Sequence, residues 1–232
     1  MTTDRFYHWT QASALFARRP LVFFAAAGVI FAAHAFQTDD WFIALSAARF
    51  TAIVTAAGFG YALLQRSGYQ IEPGTWVKFA CFIILLYVPV LSLGFVFFGP
   101  GIPESLGIWM IPLVLALVSI FAAGQILLGA VLAGIVETGK AQVAEGFRRA
   151  KGMARHTGRA LVFGPWIVNG LIAVLKVMSH QAGLPDQPFD PVTGAFLWAW
   201  LPVNALQAVA VIFAALLTSS ILHRAWVHGG EL

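Results

Sequence analysis

Long apolar stretches broken by short polar ones recur along the whole chain of 232 residues. A bilayer core of about 30 Å takes roughly 20 apolar residues in a helix. Stretches of that kind fall at about 20–36, 41–64, 76–98, 107–136, 159–178 and 193–222. They are rich in Phe, Leu, Ile and Ala and do not alternate apolar with polar positions, so they predict helices rather than barrel strands. The fourth is long enough to tilt or to emerge past the interface, and Pro112 near its start sits in the first turn or kinks it.

Two further segments carry a helical period without being apolar throughout. Over about 139–157, Val143, Phe147, Ala150 and Ala154 share one face, while Arg148, Lys151 and Arg155 form a stripe on another and Glu145 pairs with Arg149 four residues on. Over about 3–18, Phe6, Trp9, Ser13 and Phe16 share a face ahead of "ARRPLVFF". Both read as amphipathic helices lying in the cytoplasmic interface. The predicted fold is therefore an all-α polytopic membrane bundle of six transmembrane helices and two interfacial ones, forming a single membrane domain over 1–232.

Composition strengthens this class. Apolar residues make up 59% of the chain and charged ones 10%, and the mean hydropathy is +0.81, values outside the range of soluble domains. The one cysteine, Cys81, lies in an apolar run, which excludes an internal disulfide and a cysteine metal cluster. The polar, aromatic N-terminus does not read as a signal peptide.

Charge then orients the spans, because Lys and Arg resist translocation. With an even number of spans both termini share a side, and twelve of the fourteen Lys and Arg residues fall there, the exceptions being Arg49 and Lys176. The opposite loops, "QTDD", "GPGIPES" and "HQAGLPDQPFDPVTG", carry acids and no Lys or Arg. Both termini are expected in the cytoplasm, in a bacterial inner membrane. Tryptophans agree: Trp41, Trp109, Trp198 and Trp200 fall at outer span ends, and Trp9, Trp76 and Trp226 at inner ones.

The two amphipathic segments lead into spans with the same pattern, Arg-x-Leu-Val-Phe at Arg19–Phe23 and at Arg159–Phe163, and "LLQR" at 63–66 matches "ILHR" at 221–224. This is either a parallel internal repeat or coincidence in apolar sequence. With "EGFRRAKGMARHTGRALVFG", "ASALFARRPLVFF" and "LLTSSILHRAW", the chain resembles the bacterial YciC-like membrane proteins and the membrane domain found beside some glycerophosphodiester phosphodiesterases. The resemblance covers most of the chain. It implies about six helices and no catalytic domain, since the phosphodiesterase chemistry of that group resides in a separate soluble domain.

Signatures for nucleotide, zinc or nucleophilic chemistry are missing from the sequence. On the outer side, His180, Asp186 and Asp190, with His34, Asp39 and Asp40, form a metal-ligand set only if the loops converge, and ordinary polar loops are the favoured reading. No enzyme activity, cofactor, metal or nucleic-acid partner is expected. Arg49 inside the second span raises a functional question, because an ionisable residue there is costly. With Gln125, Asn169, Asn204 and Gln207 it either lines a headgroup-sized cavity or snorkels outward while the amides join helices. Beside it, Ala44, Ala48, Ala52, Ala56 and Gly60 make a small-residue stripe for helix packing or an oligomer seam.

Three functions follow. The first is a non-enzymatic protein that binds or organises anionic lipids or a membrane partner complex through Arg148, Arg149, Lys151, Arg155, Arg159, Arg18 and Arg19. The second is a transporter or flippase for a lipid-like or small amphipathic substrate using the intramembrane Arg and amide site. A headgroup-modifying enzyme ranks last.

Overall fold

The computed structural model describes residues 6–35, 41–67, 73–84, 107–185, 187–190 and 192–231, with the side chains of 41–49, 107–115, 117 and 118 outside that set. The described residues are all-α and form no strands beyond one isolated bridge between Phe189 and Phe196. The helices are α1 (Tyr7–Arg18), α2 (Pro20–Ala35), α3 (Trp41–Ser67), α4 (Pro73–Ile84), α5 (Gly107–Thr138), α6 (Val143–Leu161), α7 (Ile167–Gln181) and α8 (Leu201–His228). Three helical stretches among the described residues are long and apolar enough to cross a membrane: Ser119–Thr138, Val143–Gln181 and Trp198–His228. The bent pair α1 and α2 makes a fourth if counted as one span.

Most predicted boundaries fall close to observed ones. The segment at 76–98 overlaps α4, and its part from 85 onward lies outside the described residues. The last span begins later than the apolar pattern suggests. Residues 193–197 are extended and turn, a 3-10 turn follows at Trp198–Trp200, and α8 starts at Leu201, with Pro202 in its first turn where a missing N–H costs nothing.

The chain groups into two compact units. The first comprises Met1–Ala62 and Leu161–Thr218. Its core joins Ala12 and Leu15 of α1, Phe23, Ala27 and Ile30 of α2, Ala62 of α3, and Ala208, Ile212 and Leu216 of α8. Pro20 opens α2 directly after Arg19, and the two helices meet at 95°. Proline fits a first helical turn but disfavours α geometry in the residue before it, so the chain turns at Arg19. Ala52 and Ala56 are half-buried and Gly60 is buried, so the described part of the small-residue stripe packs inside the protein; the side chains of Ala44 and Ala48 lie outside the described residues.

The second unit comprises Leu63–Ala160 and Ser219–Leu232. Here α5 is buried on nearly every side from Ala130 to Val136, as an all-round apolar helix requires. Glycines let its neighbours approach closely. A Cβ on Gly129 would meet Leu222, and one on Gly134 would fall 2.5 Å from the Trp226 ring. The helix stops at Gly139, whose φ of +71° suits glycine, and Lys78 of α4 donates to the Gly139 carbonyl at 3.0 Å.

The expected break between an interfacial helix and a span near residue 158 is not where the structure puts it. Helical structure runs from Val143 to Gln181, and the discontinuity lies at a π segment, Val162–Trp166, with Gly164 at φ −116° and ψ −105°. Pro165 has no N–H to donate and its ring crowds the preceding turn, so the helix loosens here. The Ile167 N–H reaches back to the Val162 carbonyl, and the Trp9 indole donates to the Phe163 carbonyl at 3.4 Å. The two matching Arg-x-Leu-Val-Phe segments differ in their surroundings. Leu21 is exposed and Phe23 buried, whereas Leu161 is buried and Phe163 exposed, so matching residues occupy opposite environments.

Candidate anionic-lipid site

The basic segment forms α6, but its buried face differs from the one expected. Gly146, Ala150, Thr157 and Leu161 are buried, while Val143 and Phe147 are exposed at 45% and 42%. Small residues win because α6 meets α5 at backbone distance. A Cβ on Gly146 would run into Val131, and one on Gly158 would lie 3.2 Å from Ile126. Close contact with α5 therefore continues from Gly146 to Gly158, twelve residues along α6. The larger apolar side chains are left on the flank. In the first helix the buried face also differs from the expected one: His8, Ala12 and Leu15 are its buried residues, Trp9 and Phe16 pack beside the core, and Phe6 and Ser13 are exposed.

Opposite the buried face of α6, Arg148, Lys151, Arg155 and Arg159 are exposed. One carboxylate organises the start of the cluster. Glu145 accepts from Arg148 at 2.9 and 2.7 Å through Nε and Nη2, and from Arg149 Nε at 2.6 Å. Those bonds, Arg148's first and then Arg149's, hold the Glu145 carboxyl down at about 2, and the same pairing raises Arg148. Lys151, Arg155 and Arg159 make no ion pair among the described residues.

Arg149, expected among the headgroup-binding residues, is engaged by the protein itself. Its Nη1 donates to the Trp226 carbonyl at 2.8 Å, and its guanidinium lies 4.4 Å from the centre of the Trp226 ring. That carbonyl belongs to the last turn of α8, where helical acceptors lack intrahelical partners. Arg149 therefore caps α8, and Gly229 and Gly230 leave room for it, since a Cβ at Gly229 would strike the Arg149 carbonyl and one at Gly230 would lie 3.1 Å from its guanidinium carbon. Sequence reasoning finds the Glu145–Arg149 spacing but has no signal for Trp226, 77 residues away. Arg18 and Arg19 are exposed where α1 meets α2, in the other unit.

The intramembrane polar set is distributed over both units. The Arg49 side chain lies outside them. Asn169 is exposed on α7, Asn204 is buried and donates to its own helix at the Trp200 carbonyl (2.9 Å), and Gln207 keeps a buried Oε1 without a hydrogen bond. Gln125 is buried in the second unit. Sequence reading overlooked a different polar group there, in which Arg66 Nε donates to Ser219 Oγ at 3.3 Å and Glu137 and His223 interact electrostatically. The "LLQR" and "ILHR" span ends contain two of its members.

The outer metal set is likewise not supported. Asp39, Asp40 and Asp186 lie outside the described residues, His34 is buried in α2 and His180 is exposed. Asp190 instead builds a turn, its Oδ1 accepting from the Val192 and Thr193 amides at 2.8 and 2.9 Å, which lowers its pKa. Among the described residues no group of three or more His, Cys, Asp or Glu is placed to hold a metal. No family model matches the chain, and no curated protein or solved structure shows a detectable similarity to it, so the resemblance to the YciC-like proteins rests on the residues quoted above.

Proposed function

We propose that this is a six-span protein of a bacterial inner membrane, with both termini cytoplasmic, that binds and organises anionic lipids through α6 and has no catalytic activity of its own. The observation that carries the reading is the division of α6 into a buried small-residue face and an exposed face of Arg148, Lys151, Arg155 and Arg159, flanked by exposed Val143 and Phe147. A helix of this kind suits the boundary between headgroups and acyl chains. Length supports the placement. The 39 residues from Val143 to Gln181 make about 58 Å of helix along the chain, more than the roughly 30 Å that the hydrocarbon takes, which leaves residues over for the basic half outside the apolar core. The kink at Gly164 and Pro165 suits a helix turned toward the membrane surface. The N-terminal α1, set at 95° to α2, is the second interfacial helix and adds Arg18 and Arg19. A membrane partner or a second copy of the chain is accommodated by the same surface.

The test is vesicle binding or native mass spectrometry with phosphatidylglycerol for the parent and for the combined variant Lys151→Gln, Arg155→Gln and Arg159→Gln. Arg149 is left intact because it caps α8. At about 1 kcal/mol for each basic residue, the variant should lose roughly 3 kcal/mol, on the order of 100-fold in affinity. Equal retention of anionic lipid by parent and variant would refute the reading.

A further inference from the structure

We infer that α7 is the seam of a homodimer, in which the Asn169 amides of two copies hydrogen-bond to each other across a two-fold axis. The inference rests on the membrane placement proposed above and is independent of the basic face of α6.

Among the described residues, Val143–Gln181 is the least enclosed of the three stretches that are long and apolar enough to cross a membrane. Of its most apolar part 17% is buried, against 50% for Ser119–Thr138 and 61% for Trp198–His228. Its membrane half is α7, none of whose residues is buried. Two faces of α7 are exposed. Ile167, Leu171, Val174 and Met178 make one, which is bulky and apolar and suits acyl chains. Asn169, Ala173 and Val177 make the other, at four-residue spacing and about 130° around the helix from the first.

Lipid does not complete that second face. Asn169 lies midway between Arg159 and His180, inside the apolar run, and its side chain makes no hydrogen bond among the described residues. Acyl chains offer an amide neither donor nor acceptor, so its polar atoms lose water without replacement. A facing helix restores the bonds, and Ala173, one turn further on, lets that helix come near.

Orientation in the bilayer selects the occupant. Copies of one integral protein face the same way, so a two-fold axis relating them runs along the membrane normal. Each residue near that axis meets its own counterpart. A charged side chain there repels its image. An amide carries both donors and an acceptor, so two asparagines satisfy each other through two N–H···O=C bonds. One chain therefore supplies both halves of the contact, which favours a second copy over a different partner.

The experiment uses the full chain with Cys81→Ser. Single cysteines, Ala173→Cys in the seam and Leu171→Cys on the lipid face, are oxidised with copper phenanthroline in isolated membranes. Native mass spectrometry in mild detergent compares the parent with Asn169→Leu and with Asn169→Gln, which keeps an amide. Circular dichroism confirms that each variant is folded. The expected result is at least tenfold more disulfide-linked dimer from Ala173→Cys than from Leu171→Cys. Asn169→Leu should weaken the dimer at least tenfold, and Asn169→Gln should weaken it less. Phosphatidylglycerol adducts in the same spectra report on α6, and Asn169→Leu should leave them unchanged. Alkaline extraction of the membranes reads the placement separately: a chain that washes off removes the membrane reading and the seam together, whereas a retained monomer removes the seam alone. Equal crosslinking from the two cysteines, or a folded Asn169→Leu variant that associates as the parent does, also overturns the inference.

Discussion

Replacing Gly146 by alanine adds one methyl group at the point where the basic helix meets α5, and changes no charge. Alanine is favoured over glycine in a helix by about 0.8–1.0 kcal/mol, so on propensity alone the variant would be more stable. Geometry opposes that gain. The new Cβ would press on the Val131 side chain and lie 3.0 Å from its Cα and 3.1 Å from its backbone N. Val131 is fully buried in the Ala130–Val136 segment, so its backbone has no room to retreat. Overpacking of this kind costs about 1–3 kcal/mol, leaving a net loss of roughly 0–2 kcal/mol after the propensity gain. Gly170 is the control, because nothing lies within 4 Å of its added Cβ and it sits in an exposed turn of α7. Gly170→Ala should keep most of its gain, so the two variants should differ by about 1–3 kcal/mol. Reversible denaturation of the detergent-solubilised protein, followed by tryptophan fluorescence, measures both. If Gly146→Ala is stabilised as much as Gly170→Ala, α6 does not pack on α5 at backbone distance and the account of its buried face is wrong.

The neighbouring arginines should separate cleanly: Arg149→Ala loses a charged hydrogen bond to the Trp226 carbonyl, worth about 1.5–3 kcal/mol, whereas Arg148→Ala, with 70% of its side chain exposed, leaves the melting temperature nearly unchanged. Glu145 should give an acid-side dependence. Its carboxyl is held at about 2 against an ordinary 4.5, so its pairing contributes fully above about pH 4.5 and is lost as pH falls toward 2. Thermal melts across that window should show a component in the parent that Glu145→Gln lacks, and identical profiles would remove it. At the end of α5, Gly139→Ala forces a Cβ into a φ of +71° and should cost about 1–2 kcal/mol in the same denaturation assay.

Helix class and most helix limits were legible because long apolar runs have few alternatives, and the turn at Arg19–Pro20 is carried by local proline chemistry. Which face of an amphipathic helix is buried was not legible. In α6 the apolar stripe Val143, Phe147, Ala150 and Ala154 is the obvious seam by hydropathy, yet the protein packs the smaller Gly146 and Ala150 and leaves Val143 and Phe147 exposed. In water those two exposures would count against the packing, because burying them is favourable. Beside lipid that driving force is absent, and close approach of backbones decides which face meets the neighbouring helix. The same reasoning explains why Leu21 is exposed and its apparent counterpart Leu161 is buried. Apolar identity does not fix direction when both protein and solvent are apolar. Charge is more restrictive, but its role depends on partners distant in sequence. Arg148 and Arg149 are adjacent, and only the second reaches Trp226. A basic cluster read from sequence therefore contains two kinds of residue, one tied to a distant helix end and the others exposed on the helix surface, and the neutralising variant that tests the proposed lipid binding has to spare the first.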